Sequence, residues 1–199
     1  MAPHRFNLRG GHPALDFLNT IHDWTAEIAR DYLATFGDAV RFGEAAGLLT
    51  RAEARRLAGS ANDAELERLR ELRSMLERIA RALVSGHAPA ARDLDALAAA
   101  EATAAEATRL RAASAQLRRV IPVDEAGPAV LRLRIADAAV ELLTSDRMRR
   151  VKACPACGWF FVDVSKNQSR RWCSMSTCGA SAKAKRYYRR VKAARSHAG

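Results

Sequence analysis

Long apolar runs are missing from this sequence of 199 residues. None approaches the roughly 20 residues that a membrane-spanning helix requires. Residues 1–11 also lack the apolar stretch followed by small residues that defines a secretory signal. These absences exclude a membrane class, and we expect a cytoplasmic protein with no membrane partner.

Catalytic signatures are also missing. The sequence has no hydrolase nucleophile elbow, phosphate-binding glycine loop or dinucleotide fingerprint. A metal-dependent nuclease needs a histidine and carboxylates close together, but the only histidine after His87 is His197. Asp163 is the only acid in the last 53 residues. We therefore expect no enzymatic activity.

Lysine is absent from the first 146 residues, and acids are nearly absent from the rest. Residues 1–146 carry 19 Lys and Arg against 21 Asp and Glu, a net charge of −2. Residues 147–199 carry 14 Lys and Arg against one acid, a net charge of +13. Such asymmetry indicates a polyanion-binding end, although a solvated basic tail would have the same composition.

All four cysteines lie in the basic segment, at Cys154, Cys157, Cys173 and Cys178. Two residues separate the first pair, fifteen separate the pairs and four separate the second pair. In a chain without a secretory signal this spacing is typical of a zinc site rather than disulfides. Iron–sulfur clusters also use four cysteines, but with different common spacings. Four thiolates leave no open coordination position, so we predict one structural Zn²⁺.

The first 146 residues have mainly helical patterns. Thr50 and Glu53 have the spacing of a capping box, which predicts a short helix ending near Gly59. Asn62 and Glu65 repeat this signal. A stripe of leucine and isoleucine from Leu69 to Leu83 follows at steps of three and four residues, which predicts a core-facing helix closed by Gly86.

The second half of this region gives weaker patterns. The alanine-rich residues 89–115 predict a further helix with a weak apolar face, and residues 117–123 predict a short strand. Pro128 stands at a plausible first position of another helix. Leu131, Ile135 and Leu142 supply the apolar stripe of that helix.

Residues 12–20 begin the N-terminal helix and include a small polar cluster. The cluster consists of His12, Asp16, Asn19 and Thr20, with His22 nearby. It is a possible pocket for a small-molecule effector. Capping and buried hydrogen bonding would explain the same residues, and the region would then be a scaffold or a homodimerisation unit.

The segment from residue 147 onward predicts a small zinc finger. Cys154–Gly158 reads as a knuckle, Trp159–Val162 as a strand and residues 163–168 as a hairpin or loop. A basic helix follows from Ala180 to about Ala194. Knuckle, hairpin and helix form the order of a treble-clef site. The predicted fold is therefore mainly α, with a helical domain over residues 1–146 and a treble-clef-like finger over residues 147–199.

The finger sequence resembles a known family. Cys154-Pro-Ala-Cys-Gly-Trp-Phe-Phe-Val-Asp163 and Arg170-Arg-Trp-Cys-Ser-Met-Ser-Thr-Cys-Gly179 are similar to the CGNR zinc finger of bacterial proteins. His12-Pro-Ala-Leu-Asp-Phe-Leu-Asn-Thr20 resembles the start of the ABATE domain that precedes this finger. The resemblance implies a bacterial transcription regulator. One departure is clear: Ala180 and Ser181 replace the Asn and Arg of the family name, so polar donors are lost there.

A nucleic acid, with DNA favoured over RNA, is the partner that the basic segment predicts. Tyr187 and Val191 are the expected packing face of the helix. An acidic protein is the alternative partner. The cations that surround the second cysteine pair and its helix are the predicted contacts: Arg170, Arg171, Lys183, Lys185, Arg186, Arg189, Arg190 and Lys192.

Overall fold

The computed structural model describes residues 6–27, 30–59 and 62–196, with side chains up to residue 190. The chain is mainly helical, as predicted, and two short antiparallel hairpins interrupt it within the described residues. Within the described residues, no helix has both the length and the apolarity to cross a bilayer. The elements in chain order are α1 (Pro13–Leu18), α2 (Phe36–Ala45), α3 (Arg51–Leu57), α4 (Asp63–Val84), α5 (Ala91–Glu106), β1 (Arg109–Ala113), β2 (Gln116–Val120), α6 (Val123–Ala126), α7 (Val130–Thr144), β3 (Val151–Ala153), β4 (Phe160–Val162) and α8 (Ala180–Ser196).

Local capping signals set several helix starts. Thr50 and Glu53 form the predicted capping box of α3, and the Asn62 side chain accepts from the Glu65 amide at the start of α4. Gly86 ends the α4 region with a φ of +74°, a conformation that favours glycine. A further box, Thr35 with Asp38, begins α2. α2 was not predicted from the sequence, because an Asp replaces the usual Glu or Gln at the third position of this box.

The core lies around α4, which contacts α1, α2, α5 and α7. The predicted leucine stripe is buried from Leu69 to Ile79. Phenylalanines from α1 and α2, including Phe17 and Phe42, pack in the same core. The predicted stripe of α7, from Leu131 to Leu142, is also buried. Pro128 lies in a 3₁₀ turn over Gly127–Ala129, immediately before α7.

The alanine-rich helix is shorter than predicted. α5 ends at Glu106, and the chain then forms β1, which pairs with β2. The prediction of helix up to residue 115 was therefore wrong. The strand predicted over residues 117–123 is confirmed as far as Val120, where β2 ends, and α6 begins at Val123. Ser114 forms the turn with a φ of +55°. No Gly or Asn marks this turn in the sequence, so helix propensity dominated the prediction.

The zinc-finger hairpin differs in order from the prediction. β4 confirms the strand predicted over Trp159–Val162, but it pairs with β3, which precedes the knuckle. The knuckle therefore lies at the tip of the hairpin, and residues 163–174 form a loop and turns. Phe160 and Val162 belong to the same hydrophobic core as Phe17. The core thus continues from the helical region into the finger.

Candidate metal centre and basic helix

The knuckle turns tightly between β3 and β4. The Cys154 amide donates to the Trp159 carbonyl and the Gly158 amide donates to the Cys154 carbonyl, each at 2.8 Å. Gly158 has a φ of +72°, and a Cβ there would lie 2.8 Å from the Cβ of Trp24. Both the conformation and the close approach require glycine at this position. The turn brings Cys154 and Cys157 onto the same side of the hairpin tip.

The second cysteine pair comes from the start of the C-terminal helix. Cys173 ends the long loop, and Cys178 lies in a single π-helical turn over Met175–Gly179 that leads directly into α8. The Ser174 hydroxyl caps this turn by accepting from the Thr177 amide. A π-helical turn is rare and frequently lies at a functional site. Here it sets the position of Cys178 relative to Cys173.

The four sulfurs form a compact cluster. The Sγ atoms of Cys157, Cys173 and Cys178 are each 3.6 Å apart, and all four sulfurs lie within 4.8 Å of one another. Four thiolates at about 2.3 Å from a tetrahedral Zn²⁺ would be about 3.8 Å apart. The geometry and the donor set therefore fit one structural zinc ion held by Cys154, Cys157, Cys173 and Cys178.

The electrostatics of the cluster also fit a cation. The hydrogen bond to Cys173 raises the pKa of Cys157, and so does burial. The neighbouring sulfurs raise it further, because they disfavour another negative charge nearby. Burial alone would raise the pKa of Cys154, but amides of Cys173, Ala156 and Cys157 outweigh it and lower that pKa. A bound dication relieves the repulsion among four crowded thiolates. The crowded sulfurs that disfavour a free thiolate at Cys157 are the charges that a bound dication would neutralise.

Comparison with known families supports this reading of the finger. Residues 150–191 match the CGNR zinc finger, and residues 11–146 match ABATE, described as "Putative stress-induced transcription regulator". The chain belongs to the ABATE family. The order of the two matches confirms the resemblance inferred from the sequence. A search of curated proteins finds no significant match.

Asp163 organises the loop between the cysteine pairs of this ABATE member. Its fully buried carboxylate accepts from the Lys152 ammonium at 2.7 Å, from the Ser165 amide at 2.9 Å and from the Arg170 amide at 2.9 Å. Burial opposes ionisation, but Lys152 and Ser165 hold the pKa of Asp163 well below its ordinary value. The only acid of the segment is therefore structural, a role that its sequence context does not reveal.

Two of the basic side chains near the finger are also structural. Lys152 donates to the carbonyls of Gln168 and Arg170 as well as to Asp163. The Arg170 guanidinium donates to the carbonyls of Trp172 and Cys173 and lies 4.4 Å from the ring centroid of Phe161. Arg170 was predicted to contact nucleic acid. In the structure its Nε and one terminal nitrogen hold the backbone beside a zinc ligand, and the nucleic-acid contact stays a prediction.

The other predicted cations are exposed wherever their side chains are described. Arg171 lies over the ring of Trp172, outside the zinc cluster. We define the basic helix surface as the exposed cations of α8 with described side chains: Lys183, Lys185, Arg186, Arg189 and Arg190. The side chains of Val191 and Lys192 lie outside the described residues.

Tyr187 is 57% exposed and Tyr188 is 70% exposed, so the prediction that Tyr187 forms a packing face was wrong. The described side chains of α8 are therefore presented to solvent and do not pack on the core.

The predicted effector-pocket residues form intramolecular hydrogen bonds. Asp16 accepts from the Gly10 amide at 2.7 Å, and Thr20 donates to Phe17 O and accepts from Arg73. His12 caps α1 and contacts Glu141, and Asn19 bonds the backbone of β4. None of the four residues lines the cavities of about 640, 530 and 360 Å³ in the described part of the chain. This geometry supports capping and cross-linking and gives the effector prediction no support at these positions.

Proposed function

We propose that this chain is a non-enzymatic transcription regulator that binds DNA through the basic helix surface. The proposal rests on α8. Its cations lie on more than one face of the helix and are exposed along residues 183–190. No acid follows Asp163 in the sequence, so α8 itself carries no acidic side chain. Cations displayed in this way attract phosphates and release counterions on binding.

The zinc site would fix the position of the N-terminal end of α8. Cys178 lies two residues before Ala180, the first residue of α8. The metal would therefore hold the start of α8 against the hairpin tip. The 17 residues of α8 extend about 25 Å at 1.5 Å per residue. A helix fits the major groove of B-DNA, whereas the major groove of A-form RNA is too narrow to admit it. The shape of the element therefore favours duplex DNA over duplex RNA.

The two tyrosines give α8 an apolar contact surface. Their rings lie 5.8 Å apart between centroids, and both are exposed among the cations. Aromatic rings stack on bases or pack on sugars in nucleic-acid complexes. Burial of these rings at an interface would offset the cost of their exposure in the free protein.

The residues at the start of α8 limit how the DNA sequence is read. Ala180 and Ser181 offer no side-chain amide or guanidinium, in contrast to the Asn and Arg of the family name. Bidentate Arg contacts to guanine are the commonest base-specific contacts. We therefore propose binding dominated by phosphates, with weak sequence preference.

We place the protein in the cytoplasm, where reducing conditions keep thiols free to bind zinc.

Direct binding to labelled duplexes tests the proposal. Fluorescence anisotropy with the zinc-loaded full chain, random-sequence duplex DNA and the matching RNA is expected to give tighter binding to DNA and a steep loss of affinity with salt. Equal binding to both would overturn the DNA preference. No binding to either, together with binding to an acidic peptide, would favour the protein-partner alternative.

Sedimentation in the same buffers tests the predicted homodimer.

A further inference from the structure

The β1–β2 hairpin covers one side of a cleft of about 640 Å³. The opposite side is formed by the start of α3, by residues 121–124 and by α7. Arg111 and Arg118 of the hairpin line the cleft together with apolar residues such as Ile121 and Val123. The residues that line the cleft all lie between Gly47 and Ala138, so the cleft is separate from the zinc ligands and from α8.

Each carboxylate that lines the cleft has a basic partner. Glu53 pairs with Arg134 at 2.7 Å, and Asp137 pairs with Arg119 at 2.7 Å. Asp124 pairs with Arg56. Arg134 also donates to the carbonyls of Leu48 and Ile121, so both terminal nitrogens of its guanidinium are engaged in the fold. The acids of the cleft are thereby neutralised within the protein.

Arg111 and Arg118 are left with uncompensated charge. They are directly opposite each other in the register of the hairpin. Directly opposed side chains have Cβ atoms about 5 Å apart, and like charges in such a pair are destabilising. Across the described parts of the chain neither guanidinium forms an ion pair, and both are exposed. Two positive charges therefore meet at the edge of a cleft whose acids are already paired.

We propose that this cleft binds a small dianionic ligand, of the phosphate monoester or inorganic phosphate class, through Arg111 and Arg118. Two guanidinium groups can each donate paired hydrogen bonds to phosphate oxygens, which suits a dianion better than a single carboxylate. The apolar residues beside them offer a surface for the uncharged part of such a ligand. A bound dianion would also remove the repulsion between the two arginines.

The proposal is independent of DNA binding by α8. Inorganic phosphate and pyrophosphate are the probes, measured by calorimetry and thermal unfolding on the zinc-loaded full chain at constant ionic strength set with chloride. The expected result is saturable binding to the parent. The double variant R111Q/R118Q should bind at least about tenfold more weakly and lose the rise in melting temperature caused by the probe.

The matched control is R55Q/R92Q, which removes the same charge from exposed positions outside the cleft. It should bind the probes as the parent does, and the melting temperature of R111Q/R118Q without probe shows whether that variant is folded. Equal weakening in both variants would show a general charge effect and overturn the proposal. No saturable binding to the parent would overturn it as well. The proposal would also be overturned if R111Q/R118Q lost affinity for duplex DNA but kept its phosphate binding. That result would assign the hairpin to nucleic-acid binding.

Discussion

The carboxamide of Asn19 bonds both backbone groups of Phe160. Its Nδ2 donates to the Phe160 carbonyl at 2.8 Å, and its Oδ1 accepts from the Phe160 amide at 2.9 Å. Both residues are buried. The pairing joins the end of α1 to the strand that follows the zinc knuckle. Together with the bond from Trp159 Nε1 to the Ile21 carbonyl, it ties the finger to the helical region.

Asn19→Ala should destabilise the whole chain. The change leaves two backbone groups without their partner in a buried site, and each such loss costs about 1 to 3 kcal/mol. We expect the free energy of unfolding to fall by about 3 kcal/mol in urea titrations. Asn62→Ala, which removes only a helix cap, should cost about 1 kcal/mol and serves as the control. Equal effects of the two substitutions would show that the pairing contributes little.

The sequence predicted those features that depend on nearby residues. The capping signals at Thr50 and Asn62 and the leucine stripe of α4 act over a few residues, as does the spacing within each cysteine pair. The structure confirms these features. The Asn19–Phe160 pairing spans 141 positions and has no local signal. Arg170 likewise has the sequence context of a surface cation, but its donors are occupied by carbonyls that only the folded loop brings near.

Zinc should be present at about one ion per chain and should stabilise the whole protein. Phe160 and Val162 carry the hairpin into the main core, so loss of the metal loosens a surface that the helices pack against. Elemental analysis should find zinc in the parent and in the control Met175→Leu. Cys173→Ser should lose it and melt at a lower temperature. An unchanged zinc content in Cys173→Ser would contradict the ligand assignment.

Asp16 should make stability depend on pH. Burial raises the pKa of Asp16 to about 6, while the Gly10 amide lowers it. Because the folded-state pKa lies above the ordinary value of 3.8, the folded chain binds the extra proton and loses stability as pH rises through about 6. Between pH 5.5 and 8 this contribution should amount to about 1 kcal/mol.

Urea titrations of Asp16→Asn across the same pH range measure this effect. The variant lacks the titrating group, so its stability should gain on the parent as pH rises. Asp95→Asn, at an exposed position of α5, should follow the parent curve. Parallel curves for the parent and Asp16→Asn would show that Asp16 does not titrate in this range.

Salt-dependent DNA binding by a charge-matched pair of variants tests the central claim most directly. R186Q/R189Q/R190Q removes three charges from the basic helix surface, and R51Q/R55Q/R92Q removes three exposed charges elsewhere. Plots of log affinity against log salt should give a slope for the α8 variant that is shallower than the parent slope by about two to three, with weaker binding at every salt concentration. The control should keep the parent slope. Identical slopes and affinities for the α8 variant and the parent would show that α8 is not the DNA-binding element.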